Sequence, residues 1–281
     1  MNEQFYQNSS GIWQYYEWPN DHVPLHFHHA NAYPAGVYKP FLDQLAQNHH
    51  LFALNASGFG RSRSAADHQQ WETLAEDLTS FLSDITPAPV IGVGHSLGGV
   101  LTLMAAVWQP HLFRHIVLVD PVIFTPVVLF SLGIYHRIRG LENLAIARKA
   151  KHRRTQFNSR NALLERYRQR PVYSRWQPEY LEAFADYGFR KTPDRSLQLD
   201  FDPQTEIDIY VGIPRNIWYY IRRCKVPMTI VRGVYSDTLS ARALRLIGRI
   251  QPDAQLIELD QCGHLLIFER PDAVLELLSS I

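Results

Sequence analysis

GVGHSLGG, residues 92–99, decides how the rest of this 281-residue chain is read. A short apolar run, Ala88 to Val93, precedes it, and a longer one, Val100 to Val107, follows. The first has the length and branching of a buried strand, and the second suits the apolar face of a helix. Ser96 then stands on the sharp turn between them, bracketed by Gly94 and Gly98 in the pattern G-x-S-x-G. Such a turn lifts the serine hydroxyl above the edge of a sheet. Its glycines are needed because a side chain two positions either side would collide with the neighbouring strand or helix. A helix starting just after Ser96 also aims its positive end and free N–H groups at a developing oxyanion.

Outward from this turn, short apolar strands alternate with helices. Strands are expected over Ile12–Trp18, Val23–His28, Leu51–Asn55, Pro89–Val93 and His115–Val119, and helices over Val37–Gln47, Trp71–Asp84 and Leu97–Trp108. The pattern breaks after Asp120-Pro121 and resumes at Val226-Pro227. There the strand MTIVRG is followed by a helix over Leu239–Ile250, a strand over Leu256–Leu259 and a terminal helix from Pro271. This order predicts an α/β fold, a mostly parallel twisted sheet covered by helices on both faces. Residues 1–120 and 225–281 would form the core, and 121–224 a helical, aromatic and basic lid inserted into it.

Composition narrows the class further. Hydrophobic residues make up 46% and charged residues 20%, as in an ordinary soluble globular protein. The net charge of +1 gives no general attraction for nucleic acid. From Arg137 to Arg195, however, 15 Lys and Arg face 6 Asp and Glu, a net of +9, while the remainder holds 13 against 21, a net of −8. The asymmetry reads either as a solvated basic face or as attraction for an anionic substrate, a membrane surface or an acidic partner. Cys224 and Cys262 make neither a metal-ligand spacing nor a disulfide framework. The N-terminal stretch has no signal-peptide features. The longest uncharged apolar run, Pro121 to Ile134, is too short to span a bilayer and contains Pro126. A cytoplasmic protein without stable membrane insertion is expected.

A serine hydroxyl is a weak nucleophile at neutral pH, so it needs a base, and the base an orienting acid. Among thirteen histidines, His264 stands out, on the loop of DQCGHLLIFERP between the last strand and the last helix. Asp237, in MTIVRGVYSDT just beyond a strand, is the first choice of acid. Asp120, which also ends a strand, is the second, because Asp-Pro there reads equally as a strand stop. All would meet at the C-terminal edge of a parallel sheet, where open α/β folds bind ligands. The backbone N–H groups of Asn31 and Leu97 are the candidate oxyanion donors. Alternation along a strand puts His26 and His28 on one face, but no matching carboxylate or cysteine pattern supports a metal there. His29 is expected to brace the oxyanion loop, and His95 to pack beside the nucleophile.

Taken together, HHANAYPAG, NASGFGRS, GHSLGG, the SDT after a strand and CGHLLIFERP resemble the α/β-hydrolase superfamily, and within it a lidded serine hydrolase of the esterase or lipase kind. The resemblance covers the core and says little of the lid; Ala30 stands where the oxyanion loop of the family usually has glycine. It implies the chain order nucleophile, acid, base as Ser96, Asp237, His264, an acyl-enzyme, a small ester or acyl substrate, and no metal or organic cofactor. Carbon–carbon bond hydrolases and thioesterases share the triad and remain alternatives, as does a non-catalytic binding protein on the same scaffold. Phe124, Val128 and Trp218 are candidate substrate-binding residues. The apolar lid stretch containing Val127, Leu129, Phe130 and Leu132 either packs onto the core or lines an acyl pocket.

Overall fold

The computed structural model describes residues 1–65, 70–86, 88–279 and 281. The chain opens with β1 (Asn2–Asn8), β2 (Gly11–Trp18) and β3 (Pro24–His28), then α1 (Lys39–Leu45), β4 (His50–Leu54), β5 (Arg63–Ser64) and α2 (Trp71–Ile85). Strand β6 (Val90–His95), helix α3 (Leu97–Trp108) and strand β7 (Phe113–Val119) complete the first half. An insertion follows, with α4 (Pro126–Arg139), α5 (Ala145–Lys151), β8 (Gln156–Phe157), α6 (Arg160–Arg168), α7 (Pro178–Tyr187), β9 (Phe189–Lys191), β10 (Leu197–Leu199), α8 (Pro203–Val211) and α9 (Ile217–Arg223). The second half is β11 (Met228–Gly233), α10 (Ala241–Ile250), β12 (Gln255–Leu259), α11 (Leu266–Glu269) and α12 (Pro271–Leu278).

Among the described residues the main sheet has nine strands, in the order β1-β2-β4-β3-β6-β7-β11-β12 with β5 against β2. Pairing from β4 through β12 is parallel, and β2 runs antiparallel to β1, β4 and β5. Every residue of β6 and β11 is buried, as strands covered on both faces must be. Helix α2 buries Trp71, Leu74, Ala75, Leu78, Phe81 and Leu82, the three-and-four spacing of one helical face. Helix α3 is buried on all sides from Leu97 to Ala106, which fits a sequence apolar but for Thr102, whose hydroxyl donates to the Gly98 carbonyl. This is an α/β-hydrolase fold.

Two expectations need correction. The expected α1 begins as a 3-10 turn over Ala35–Tyr38 and becomes α-helical only at Lys39. The inserted segment is not wholly helical, since β8, β10 and β9 make a small antiparallel sheet of their own. It shares the apolar core of the sheet, with Tyr167, Trp176, Phe184 and Trp218 joining Phe268 and Tyr33 in one cluster. Of the apolar stretch, Leu129 packs into that core and Phe124 lies against it. Leu129 alone is buried in α4, while Val127, Val128 and Phe130 are exposed.

Candidate active site

Parallel pairing collects the ends of β3, β4, β6, β7, β11 and β12 along one edge of the sheet. Ser96 follows β6 directly, with φ 57° and ψ −114°, a conformation costly for a residue with a side chain. Its N–H donates to the Val119 carbonyl at 2.9 Å, which fixes the turn against β7. The two glycines prove to be contact requirements. A Cβ on Gly94 would lie 2.2 Å from the Gly98 carbonyl oxygen, and one on Gly98 would lie 2.2 Å from that of His28.

Three side chains converge at this edge. The Ser96 hydroxyl and His264 Nε2 are 2.8 Å apart, and His264 Nδ1 is 2.7 Å from Asp120 Oδ2. Asp120 is wholly buried, while the His264 side chain keeps 23% of its surface. The Asp120 carboxylate also accepts from Ser236 Oγ at 2.5 Å, from Thr238 Oγ1 at 2.7 Å and from the Gly233 N–H at 3.1 Å. An ionised carboxylate is an acceptor with no proton to give, so these donors hold it where Nδ1–H of the imidazole can donate to it.

The first-choice acid is therefore corrected. Asp237 is exposed at the end of β11 and makes no hydrogen bond with the imidazole. Its neighbours Ser236 and Thr238 both turn their hydroxyls inward to Asp120, and Asp237 between them points away. The SDT after the strand is thus a clamp for the acid. Asp120 reaches the imidazole from the end of β7 at φ 44°, with its own N–H bonded to the Val231 carbonyl at 2.6 Å.

Both oxyanion candidates are buried. Leu97 opens α3, and Asn31 follows β3 in a buried loop. Among the described residues neither backbone N–H has a protein acceptor, whereas that of Ala30 is bonded to the Tyr38 hydroxyl at 3.2 Å. The loop is braced from several sides. His29 spans from the Ala30 carbonyl (2.8 Å) to the Ala56 N–H (2.9 Å). Asn31 Nδ2 donates to the Glu206 carbonyl at 3.1 Å, and Arg153 grips the Glu206 carboxylate with two bonds of 2.7 and 2.8 Å. The inserted segment thereby holds the loop after β3.

His95 does more than pack. The Tyr38 hydroxyl donates to its Nδ1 at 2.8 Å, and its Nε2–H donates to the His264 carbonyl at 2.8 Å. Burial pushes the His95 imidazole down to about 3, so it stays neutral with one ring nitrogen donating and the other accepting. A chain of hydrogen bonds thus runs from the Ala30 N–H through Tyr38 and His95 to the backbone of the His264 loop. Sequence reasoning missed Tyr38, Ser236 and Thr238, which act through His95 and Asp120, 57 to 118 residues away in the chain.

Of the candidate substrate residues, Trp218 donates from Nε1 to the Phe124 carbonyl at 2.9 Å, so the structure brings these two together. Val128 does not join them and is 41% exposed. His26 and His28 are fully buried, their rings 5.8 Å apart, and among the described residues their ring nitrogens have no hydrogen-bond partner. Among the described residues, no group of three or more His, Cys, Asp or Glu is placed to hold a metal ion.

A strand-to-helix serine, a histidine and a buried carboxylate at one edge of this sheet define the hydrolase class. The chain belongs to the alpha/beta hydrolase family, whose sequence profile matches residues 21–277. It is similar to a 2-(acetamidomethylene)succinate hydrolase of Mesorhizobium japonicum, 22% identical over 90% of this chain and 86% of that one. A solved E-2-(acetamidomethylene)succinate hydrolase superposes with a TM-score of 0.84 at 20% identity, over 99% of this chain and 98% of its own. A thioesterase domain from the curacin biosynthetic pathway does so with a TM-score of 0.77 at 17% identity, over 99% of both chains.

Proposed function

We propose that this protein hydrolyses carboxylic esters of a small acyl substrate through an acyl-enzyme on Ser96. What carries the reading is the unbroken line from the Ser96 hydroxyl to His264 to buried Asp120, at 2.8 and 2.7 Å. His264 Nε2 takes the hydroxyl proton as Oγ attacks the carbonyl carbon, while Asp120 holds the tautomer and stabilises the imidazolium. The N–H groups of Leu97 and Asn31 receive the oxyanion. Collapse of the adduct breaks the bond to the alcohol, whose oxygen takes the proton from His264. Water then gives a proton to the same imidazole, attacks the acyl carbon, and releases the acid as Ser96 regains its hydrogen.

A second reading is favoured by the whole-length likeness to a hydrolase whose named substrate carries an acetamido group, and to a thioesterase domain. In that case the same acyl transfer to water starts from an amide or a thioester. A carbon–carbon bond hydrolase would use the same serine and histidine. Fluorophosphonate labelling tests the common core: Ser96 should be labelled, and Ser96→Ala should not. Absence of labelling in folded wild-type protein would defeat the acyl-enzyme. A panel of p-nitrophenyl esters, matched acyl amides, acyl thioesters and a dienone then sorts the bond. Turnover of amide or thioester without ester turnover would replace the ester assignment.

A further inference from the structure

Helix α4 turns an apolar stripe toward solvent. Val127, Phe130, Ile134 and Ile138 follow one another at three or four residues, so they share one face. They are 62%, 71%, 47% and 71% exposed. Over eleven residues at 1.5 Å each, the stripe runs for about 17 Å. Surface helices of a soluble protein ordinarily aim such a face inward, yet here the inward side buries Leu129 alone. The stripe continues into an open cleft against α9, where Phe130 and Ile134 meet half-exposed Tyr219.

The rim of this face is cationic. Arg137, Arg215 and Arg222 line the same cleft. Residues 126–151 and 215–225 together hold nine Lys and Arg and one acidic residue, Glu142. An apolar stripe flanked by arginines is the arrangement of helices that lie in the plane of a membrane interface. Among the described residues no helix is long and apolar enough to cross a membrane, so any such attachment would be peripheral.

We propose that α4 and the adjoining flank of α9 dock on an anionic lipid surface, the four apolar side chains entering the acyl boundary and the arginines meeting headgroup phosphates. Charge selects this occupant. A second copy pairing stripe to stripe would bring two arginine rims together, and like charges across an interface are disfavoured. An acidic protein surface would answer the arginines but leave the apolar stripe without an apolar partner. An anionic bilayer answers both. This inference is independent of the reaction assigned to Ser96.

Co-sedimentation of the whole chain with phosphatidylcholine vesicles, with and without phosphatidylglycerol, tests it. Binding is expected only with phosphatidylglycerol and should fall with salt, as the screening length drops from about 10 Å at 0.1 M to about 3 Å at 1 M. The variant Phe130→Ser/Ile138→Ser, with its melting temperature measured in parallel, should bind such vesicles at least about tenfold more weakly while remaining folded. Arg137→Gln/Arg215→Gln should lose the preference for phosphatidylglycerol. No vesicle binding by the wild type, or equal binding to both vesicle types, overturns the proposal. So does a wild-type dimer that Phe130→Ser/Ile138→Ser makes monomeric, or binding to polyglutamate without binding to vesicles.

Discussion

Asp120→Asn and Asp237→Asn separate two carboxylates that look alike in the sequence. Asn at 120 puts an amide where the imidazole needs an acceptor that holds one tautomer, and kcat/KM should fall about 10⁴-fold, as for the orienting acid of a triad. Asn at 237 changes an exposed side chain and should shift stability by no more than about 0.5 kcal/mol with activity retained. Rates of fluorophosphonate labelling of Ser96 measure both without knowledge of the substrate; equal loss in the two variants would contradict the assignment of Asp120. Ser96 and His264 were legible as neighbours because each sits in a local pattern, G-x-S-x-G and a histidine between the last strand and last helix. The acid was not. Two aspartates end neighbouring parallel strands, and nothing local tells which one faces the imidazole. That choice falls to Ser236, Thr238 and the Gly233 N–H, each of which donates a hydrogen bond to Asp120.

Elements meet here through backbone contacts that leave no room for error. Helix α3 passes so close to β3 that Gly98→Ala would press a methyl group onto the His28 carbonyl at 2.2 Å. A loss of about 3 kcal/mol or failure to fold is expected, read by thermal denaturation, since overpacking of this kind is not relieved by a side-chain rotation. Tyr38, at the start of α1, joins the oxyanion loop to the His264 loop. Tyr38→Phe leaves the Ala30 N–H and His95 Nδ1 unpaired in the interior, which should cost about 1–3 kcal/mol and slow labelling of Ser96. A variant as stable and as reactive as wild type would show the chain of hydrogen bonds to be idle. Most elements were visible from periodicity. Helix α3 and strand β11 have the expected limits, because apolar runs there end at glycine, proline or polar residues. Strand β1 was not visible. Its sequence NEQFYQN buries only Tyr6, and as an edge strand it takes its order from pairing with β2 rather than from an apolar face.

At the scale of the whole molecule, buried histidines tie stability to pH. Burial pushes His26 down to about 3, His29 to about 4 and His95 to about 3, with His28 also well below its usual value. Unfolded, each takes a proton near pH 6.5. Between there and the folded values the unfolded chain binds protons the folded one does not, so their contribution is complete above pH 6.5 and is lost as pH falls. Each histidine contributes a slope of up to about 1.4 kcal/mol per pH unit. Asp77, raised by burial to about 7, and Asp200, also raised by burial, act in the opposite sense but are fewer. The melting temperature should therefore drop on going from pH 7 to pH 5, measured by calorimetry or circular dichroism; an unchanged or higher value would contradict burial of the histidines in neutral form. By itself the sequence determined the strand and helix order, the hydrolase fold, the serine turn and the histidine loop, because each is written in local periodicity and spacing. Only the tertiary structure decided which aspartate serves the imidazole, which residues brace the oxyanion loop, and that α4 shows its apolar side to solvent. Those outcomes depend on directions and distances between segments far apart in the chain, which no local pattern encodes.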